Sequence, residues 1–279
     1  MKNEWSVVEQ LSYATIRIEG KSEDSHWYGT GFIMSCGKDD NRCMPLLVTN
    51  GHVMDGIKSV SLCFTTADAE GRPIGKWMET RPMAECYCRF HPQYKVSQDG
   101  DLCALAIAPF IKAANDRGVN LVYRMLDLNM LATDDDYADL MQLDEVAMVG
   151  YPNAIADEVN NQPIFRRGVL ATSPSLDYDG RKEFLTDIAT IGGSSGSPVL
   201  QISNGVSVNQ RSGSICIGGS PTCKLLGVHR GGFRYDAEGR LIKLSMPEAD
   251  MIVSATKIPI NLGIVIKASR VLELMRLFL

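Results

Sequence analysis

An all-β fold is predicted for this chain of 279 residues on three observations. Its apolar segments are short, rich in β-branched residues and separated by Gly, Pro, Asn and Asp, which reads as a sandwich or barrel rather than as βαβ units. Only one long stretch, 111–142, is rich in Leu, Met and Ala with little β-branching, so helix formers are largely confined to it and to the C-terminus. Composition is that of a globular protein, 45% apolar and 22% charged, which excludes a disordered or fibrous chain. The length suits one large domain or two packed halves.

Taken in order, the strands expected in the first half are Tyr13–Ile18, Thr30–Met34, Leu46–Thr49, Val60–Phe64 and Leu102–Ala108. The helical stretch 111–142 then bridges two β halves. Strands of the second half are expected at Glu145–Gly150, Ile164–Ala171, Phe184–Thr190, Pro198–Ile202, Lys224–His229 and Gly263–Lys267. From Ser269 to Leu279 an N-cap serine precedes apolar positions 271, 272, 274, 275 and 278 on one face, a terminal helix packed on the second half. No repeat or low-complexity run interrupts this plan.

Several function classes drop out early. The chain carries 28 basic against 33 acidic residues, net −5, so a broad nucleic-acid-binding face is not expected. The longest apolar run, Leu102 to Ile111, is half of the ~20 residues that span a bilayer. The N-terminal MKNEWSVVEQ has no apolar signal core, and a soluble, cytoplasmic protein is expected. In that compartment the eight cysteines are reduced thiols. The C-x6-C pairs Cys36/Cys43 and Cys216/Cys223, like Cys86-x-Cys88, lack zinc-knuckle spacing and read as small buried hydrophobes, so no metal or cofactor is expected.

Chemistry is suggested by Ile191–Leu200, IGGSSGSPVL. This is a tight turn of small residues that can bare a serine hydroxyl and leave backbone N–H groups free. A serine needs a base to take its proton, and there are four histidines: His26, His52, His91 and His229. His52 lies in LLVTNGHV, where a strand runs into a turn; alone it could merely cap that turn. A carboxylate must then fix the imidazole tautomer. Asp101 follows Asp99-Gly100 and opens the apolar strand LCALAIA, with a turn cap as its plain alternative.

Together, TGF (30–32), VTNGHV (48–53), GDLCAL (100–105) and GSSGSP (193–198) resemble the marker segments of the trypsin-like (chymotrypsin-fold) serine peptidases. His91-Pro92-x-Tyr94 resembles the approach to that family's aspartate. DEVAMVGYP (144–152), RRGVLATS (166–173) and GVHRGG (227–232) fall where the family places strands of its second barrel. The separations, 49 residues from His52 to Asp101 and 94 from Asp101 to Ser195, are of the family's size. The likeness runs from about residue 13 to 270 and is nearest to bacterial intracellular-type members and glutamyl endopeptidases, which also end this motif in S-G-S-P.

The resemblance implies two packed six-stranded antiparallel β-barrels with a helical inter-barrel segment and a C-terminal helix. One peptidase domain would cover 1–279: an N-terminal barrel in 1–110, the connector 111–142, and the C-terminal barrel with its helix in 143–279. It implies Ser195 as nucleophile, His52 as general base and then acid, Asp101 as the group that orients His52, and the N–H groups of Gly193 and Ser195 as the oxyanion hole. The position six before Ser195 is Ala189, so an acidic pocket floor and cleavage after Lys or Arg are not implied. Thr190 and His229 stand where glutamyl endopeptidases and picornaviral cysteine proteases contact a Glu or Gln side chain, and both can donate to such an oxygen. A pocket for a small apolar residue, with His229 satisfied internally, is the alternative. Gly231 and Gly232 would leave the pocket wall open and let a peptide pair as an added strand. Ser194 replaces the aspartate that zymogens use to bind a new N-terminus, so control would come from a regulatory protein partner, a fused element or substrate supply.

Two rival frames do not fit. Gly192-Gly193-Ser194-Ser195-Gly196 also fits the G-x-S-x-G elbow of α/β-hydrolases, with Ser194 and His229, but that elbow leads into a helix and here Pro198 and VLQI follow. Gly20-Lys21-Ser22 is no phosphate loop, since Thr15 stands where Gly is needed. The functions in contention are a serine endopeptidase acting on protein or peptide substrates, an esterase with the same residues, and an idle fold of this type that binds peptides or partners.

Overall fold

The computed structural model describes residues 5–23, 25–37, 43–203, 205–209, 214–217, 221–239 and 254–279; at 206–209, 214–217, 235–239 and 254–257 it describes the backbone alone. Helix α1 (Val7–Ala14) comes first, capped by Ser6, whose Oγ accepts from Glu9 N while the Glu9 carboxylate accepts from Ser6 N. This box holds Tyr13 in the helix, so the strand expected from Tyr13 begins at Thr15 instead.

The first half then builds β1 (Thr15–Lys21), β2 (His26–Cys36), β3 (Met44–Thr49), α2 (Gly51–Met54), β4 (Ser59–Ala67), β5 (Pro73–Pro82), β6 (Cys88–Phe90) and β7 (Cys103–Ala106). They form one antiparallel sheet in the order β5-β4-β1-β2-β3-β7-β6. After α3 (Ala108–Asn115), strand β8 (Asn120–Val122) adds to β4. Eight strands thus stand where the apolar segments suggested five. The additions are the ones sequence pattern hides: β6 and β8 have three residues each, and β5 buries neither face fully.

Period-two alternation explains how this sheet serves two cores. Ile33 and Leu47 point with Ile16, Ile18, Val60, Leu62, Phe64 and Leu105 into a core of the first half. Their neighbours Phe32, Met34, Leu46 and Val48 point the other way, into a core shared with Val146, Leu200, Val228 and the C-terminal helix. The strands that lead to the site are therefore fixed from both faces.

The connector is helical only in pieces. α3 is followed by Gly118 at φ +71 and by β8, and only a turn at Leu128–Met130 and the short α4 (Asp134–Ala138) follow. Tyr137 of α4 is buried; its hydroxyl donates to the Leu226 carbonyl and accepts from Ala268 N at 2.9 Å, tying the connector to the second half.

The second half contains β9 (Glu145–Gly150), β10 (Ile164–Leu170), β11 (Glu183–Asp187), β12 (Pro198–Ser203), a hairpin of β13 (Val206–Asn209) and β14 (Ser214–Ile217), then β15 (Thr222–Gly239) and β16 (Ser254–Lys267). Six of these close an antiparallel barrel, β10-β11-β16-β15-β12-β9, as expected. β16 runs directly into α5 (Ala268–Met275), so Lys267 rather than Ser269 occupies the N-cap, and its Nζ reaches Asp177 at 2.7 Å. Val271, Leu274 and Met275 bury the apolar face of α5. Among the described residues no helix is long and apolar enough to cross a membrane. Cys36, Cys63 and Cys103 are buried thiols and Cys43, Cys86, Cys88 and Cys223 are half-buried ones; the Cys216 side chain lies outside the described residues.

Candidate active site

The loop expected to carry the nucleophile leaves β11 at Asp187 and enters β12 at Pro198, a strand start where a missing N–H costs nothing. Its shape depends on two glycines at positive φ, Gly193 (+82) and Gly196 (+86). A Cβ on Gly196 would collide with the Thr30 carbonyl, and one on Gly193 would lie 2.6 Å from the Tyr151 carbonyl. Thr30 of β2 clamps this loop. Its N–H donates to Ser195 O (2.9 Å), its Oγ1 donates to Gly193 O (2.9 Å) and accepts from Tyr151 N (2.9 Å), and its own carbonyl accepts from Thr49 Oγ1 (2.6 Å). Gly196 N donates to His229 O at 2.8 Å. The N–H groups of Gly193 and Ser195 have no acceptor among the described residues.

His52 lies in α2, one residue past Gly51, whose missing Cβ makes room for the Tyr94 ring. Its backbone N donates to Asp101 Oδ1 at 2.9 Å and its Nδ1 meets Asp101 Oδ2 at 2.6 Å. Asn50 Nδ2 holds the Asp101 carbonyl at 2.8 Å. The Asp101 side chain is 17% exposed against 47% for His52, so the carboxylate is sheltered while the imidazole remains open. Asp101 ends a turn at Gln98–Gly100, two residues before β7, rather than opening the strand.

The structure therefore brings His52 and Asp101 into direct contact. Ser195 is placed differently: its Oγ donates to the Arg230 carbonyl at 3.3 Å, and among the described residues no hydrogen bond joins it to His52. His52, Asp101 and Arg230 line one cavity of about 300 Å³, and Ser195, Thr190, His229, Gly231 and Gly232 line another of about 200 Å³. Such bonds are often long or misaligned until substrate is bound. Ser194 is 1% exposed, and a strand follows it, which leaves the rival elbow frame without a bare hydroxyl. The two remaining histidines lie elsewhere, His26 near Glu19 at 3.5 Å and His91 buried against Glu273 at 3.1 Å.

Thr186, Thr190, His229 and Gly263 converge, and of these Thr190 and His229 line the smaller cavity. A Cβ on Gly263 would lie 2.9 Å from Thr186 Oγ1, 3.1 Å from Thr190 Cγ2 and 3.2 Å from His229 Cε1. Among the described residues the buried Thr186 Oγ1 and His229 Nδ1 have no partner. Burial, with smaller contributions from His52, Arg166 and Arg230, pushes the His229 imidazole down to about 3, so it is neutral. Gly231 faces open space, and a side chain at Gly232 would collide with Thr190 Oγ1.

A second layer anchors the Asp101 loop to the other half. Asp99, 2% exposed, accepts from Arg270 of α5 at 2.7 Å and from Lys182 N at 3.0 Å, and also from Ser97 Oγ. Burial alone would raise its carboxyl, but the bonds from Ser97, Arg270 and Lys182 outweigh it and hold the group down at about 2. Arg230 spans the same cleft, from Gln98 Oε1 (2.7 Å) to the fully buried Glu183 (2.6 Å). Sequence reasoning missed Thr30, Arg230, Thr186 and Gly263. Thr30 and Arg230 were present there only as members of TGF and GVHRGG, with no role attached to either.

The family model for the trypsin-like peptidase domain matches residues 29–208. No curated protein matches the chain. Among solved structures, the serine endoprotease of Yersinia pestis has a TM-score of 0.47 and 16% identity over 96% of this chain, which spans 64% of that one. Rv3671c of M. tuberculosis in its inactive form has a TM-score of 0.46 and 15% identity, over 97% of this chain and 92% of that chain.

Proposed function

This chain belongs to the trypsin-like peptidase family, and from that premise we propose that it is a serine endopeptidase working through His52, Asp101 and Ser195. The observation that carries this reading is the double contact of Asp101 with His52, at the backbone N and at Nδ1. With Nδ1–H given to Asp101, Nε2 is left as the base. In the proposed cycle Ser195 Oγ turns from the Arg230 carbonyl to His52 Nε2, loses its proton there and attacks the scissile carbonyl. The developing oxyanion is met by the free N–H groups of Gly193 and Ser195, and loss of one such donor typically costs ~10²–10³ in kcat. His52 then protonates the leaving amine, and water repeats the cycle on the acyl-enzyme. A peptide pairs along β15 at Gly231 and Gly232.

The cavity lined by Thr190 and His229 is the proposed pocket for the side chain before the scissile bond, with Glu or Gln as its occupant. The buried His229, which lines it and whose Nδ1 has no partner among the described residues, supports a polar rather than a small apolar guest. One peptidase domain is proposed over 1–279, with halves at 1–110 and 143–279 joined by 111–142. A reducing, cytoplasmic setting fits the buried thiols of Cys36, Cys63 and Cys103. Ser194 in place of an aspartate fits control by a regulatory partner rather than by cleavage of a precursor.

A second reading, an idle fold that binds peptides, is favoured by one observation: Ser195 Oγ is engaged by Arg230 O and not by His52. An active-site fluorophosphonate separates the two. Covalent labelling of the wild-type chain but not of Ser195→Ala supports the peptidase; no labelling of either supports the idle module.

A further inference from the structure

We propose that the arm which β15 and β16 form beyond the barrel binds the stretch of substrate that precedes the scissile bond. That stretch adds to the outer edge of β15 as a third antiparallel strand, so the enzyme selects long, extended polypeptide over short peptides. This rests on the reading of the Ser195 groove in which a peptide pairs at Gly231 and Gly232, and carries it out along the arm.

The length of β15 is the starting point. Of its 18 residues, Thr222–Val228 pair with β12 along one edge. His229 closes that ladder, donating to Ser197 O and accepting from Gly196 N, both at the end of the nucleophile loop. The opposite edge runs on against β16, in register from Gly231 with Ile264 to Gly239 with Ser254. Among the described residues no strand takes over from β12 beyond His229. The edge at 231–239, at roughly 3.3 Å per residue, is thus free over about 30 Å.

The arm has a second free edge, on β16 before Leu262, where pairing with β11 begins. That edge is guarded: Pro259 lacks an N–H and Lys257 carries a charge, two devices that keep sheet edges from pairing. The β15 edge, GGFRYDAEG, holds neither Pro nor Lys and is left open to a partner strand. It also leads out of the catalytic groove, since Phe233 and Arg234 line the same cavity as Ser195. Phe233, Ile258 and Ile260 are exposed on the arm, apolar area that a covering chain removes from water. Strand pairs in this barrel are antiparallel. With the cut made at Ser195, beside Arg230, a strand antiparallel to β15 sets the residues before the cut against 231–239.

Binding to Ser195→Ala is measured by fluorescence anisotropy, using labelled peptides that share one cleavage sequence. They carry a short segment, about two residues, or a long one, about eight, before the scissile bond, the long one matching the arm. The long form is expected to bind about tenfold or more tightly. Methylating its backbone nitrogens one at a time should cost about fivefold or more at every second position, because alternate residues of an added strand turn their N–H groups toward β15. Ile258→Ser with Ile260→Ser should lower affinity for the long form severalfold and leave the short form unchanged, which also reports folding. In the wild-type chain the same extension should raise kcat/KM, mainly through KM. Equal affinity for both lengths, a gain only from residues added after the scissile bond, or methylation losses without the two-residue period would overturn the proposal and leave the catalytic reading in place. An unlabelled Ser195 in the fluorophosphonate assay, with length-dependent and period-two binding, would remove the catalytic reading and uphold the arm as the peptide-binding edge.

Discussion

Thr30 and Ser195 are joined backbone to backbone, the Thr30 N–H donating to the Ser195 carbonyl at 2.9 Å. A residue of the first sheet thereby sets the height of a loop made 165 residues later, and its Oγ1 adds two further bonds, to Gly193 O and from Tyr151 N. Thr30→Val keeps the shape and the backbone bond but removes both hydroxyl bonds. It should cost about 1–3 kcal/mol of stability and lower kcat/KM at least tenfold through the Gly193 donor, with KM little changed. Urea unfolding and steady-state kinetics check this; wild-type kcat in Thr30→Val would count against a positioning role.

Ser195→Ala and His52→Ala should each remove roughly 10⁶-fold in kcat. Asp101→Asn should cost about 10⁴-fold, because an amide at that place favours the wrong imidazole tautomer. A peptidase assay sensitive to a 10⁶-fold loss measures all three, and an Asp101→Asn variant that retains a tenth of the rate would contradict the proposed role.

Gly51→Ala tests how His52 is placed. The new methyl would collide with the Tyr94 ring, so α2 must shift and carry His52 away from Asp101. A loss of about 10²-fold is expected for Gly51→Ala. Gly51→Ala combined with Tyr94→Ala should recover part of it, since the obstruction is gone. Additive losses in the double variant would show that the fault lies elsewhere.

Acid should weaken the fold in two windows. His229 has its pKa lowered from 6.5 to about 3 by burial, so between those values the unfolded chain binds the extra proton and stability falls as pH falls. Asp99 is depressed from 3.8 to about 2, and its contribution, about 2 kcal/mol, is present above the upper value and lost as pH falls through the lower. Urea midpoints measured from pH 7 to pH 2.5 should flatten above pH 4 in His229→Gln and below pH 4 in Asp99→Asn. Unchanged slopes in both variants would refute the assignment.

What could be read in advance, and what could not, follows from how far apart partners lie in the chain. VTNGHV, GDLCAL and GSSGSP are each local, and the structure sets His52 and Asp101 together as those segments suggested. The second barrel was legible because its strands are continuous apolar runs. β5 was not, because neither of its faces is fully buried, and the connector was overestimated as helix because composition does not register Gly118 or the pairing of β8 with β4. Arg166 and Arg230 look like surface residues in sequence; only the closing of the barrel turns one toward Ala189 and stretches the other from Gln98 to Glu183. Thr30 shows its weight only through bonds to residues far along the chain.

The bond from Arg270 to Asp99 orders events during synthesis. Asp99 is made 171 residues before its partner on α5, so during synthesis the Asp101 loop gains the guanidinium that fastens it only after the strands of the second half have been made.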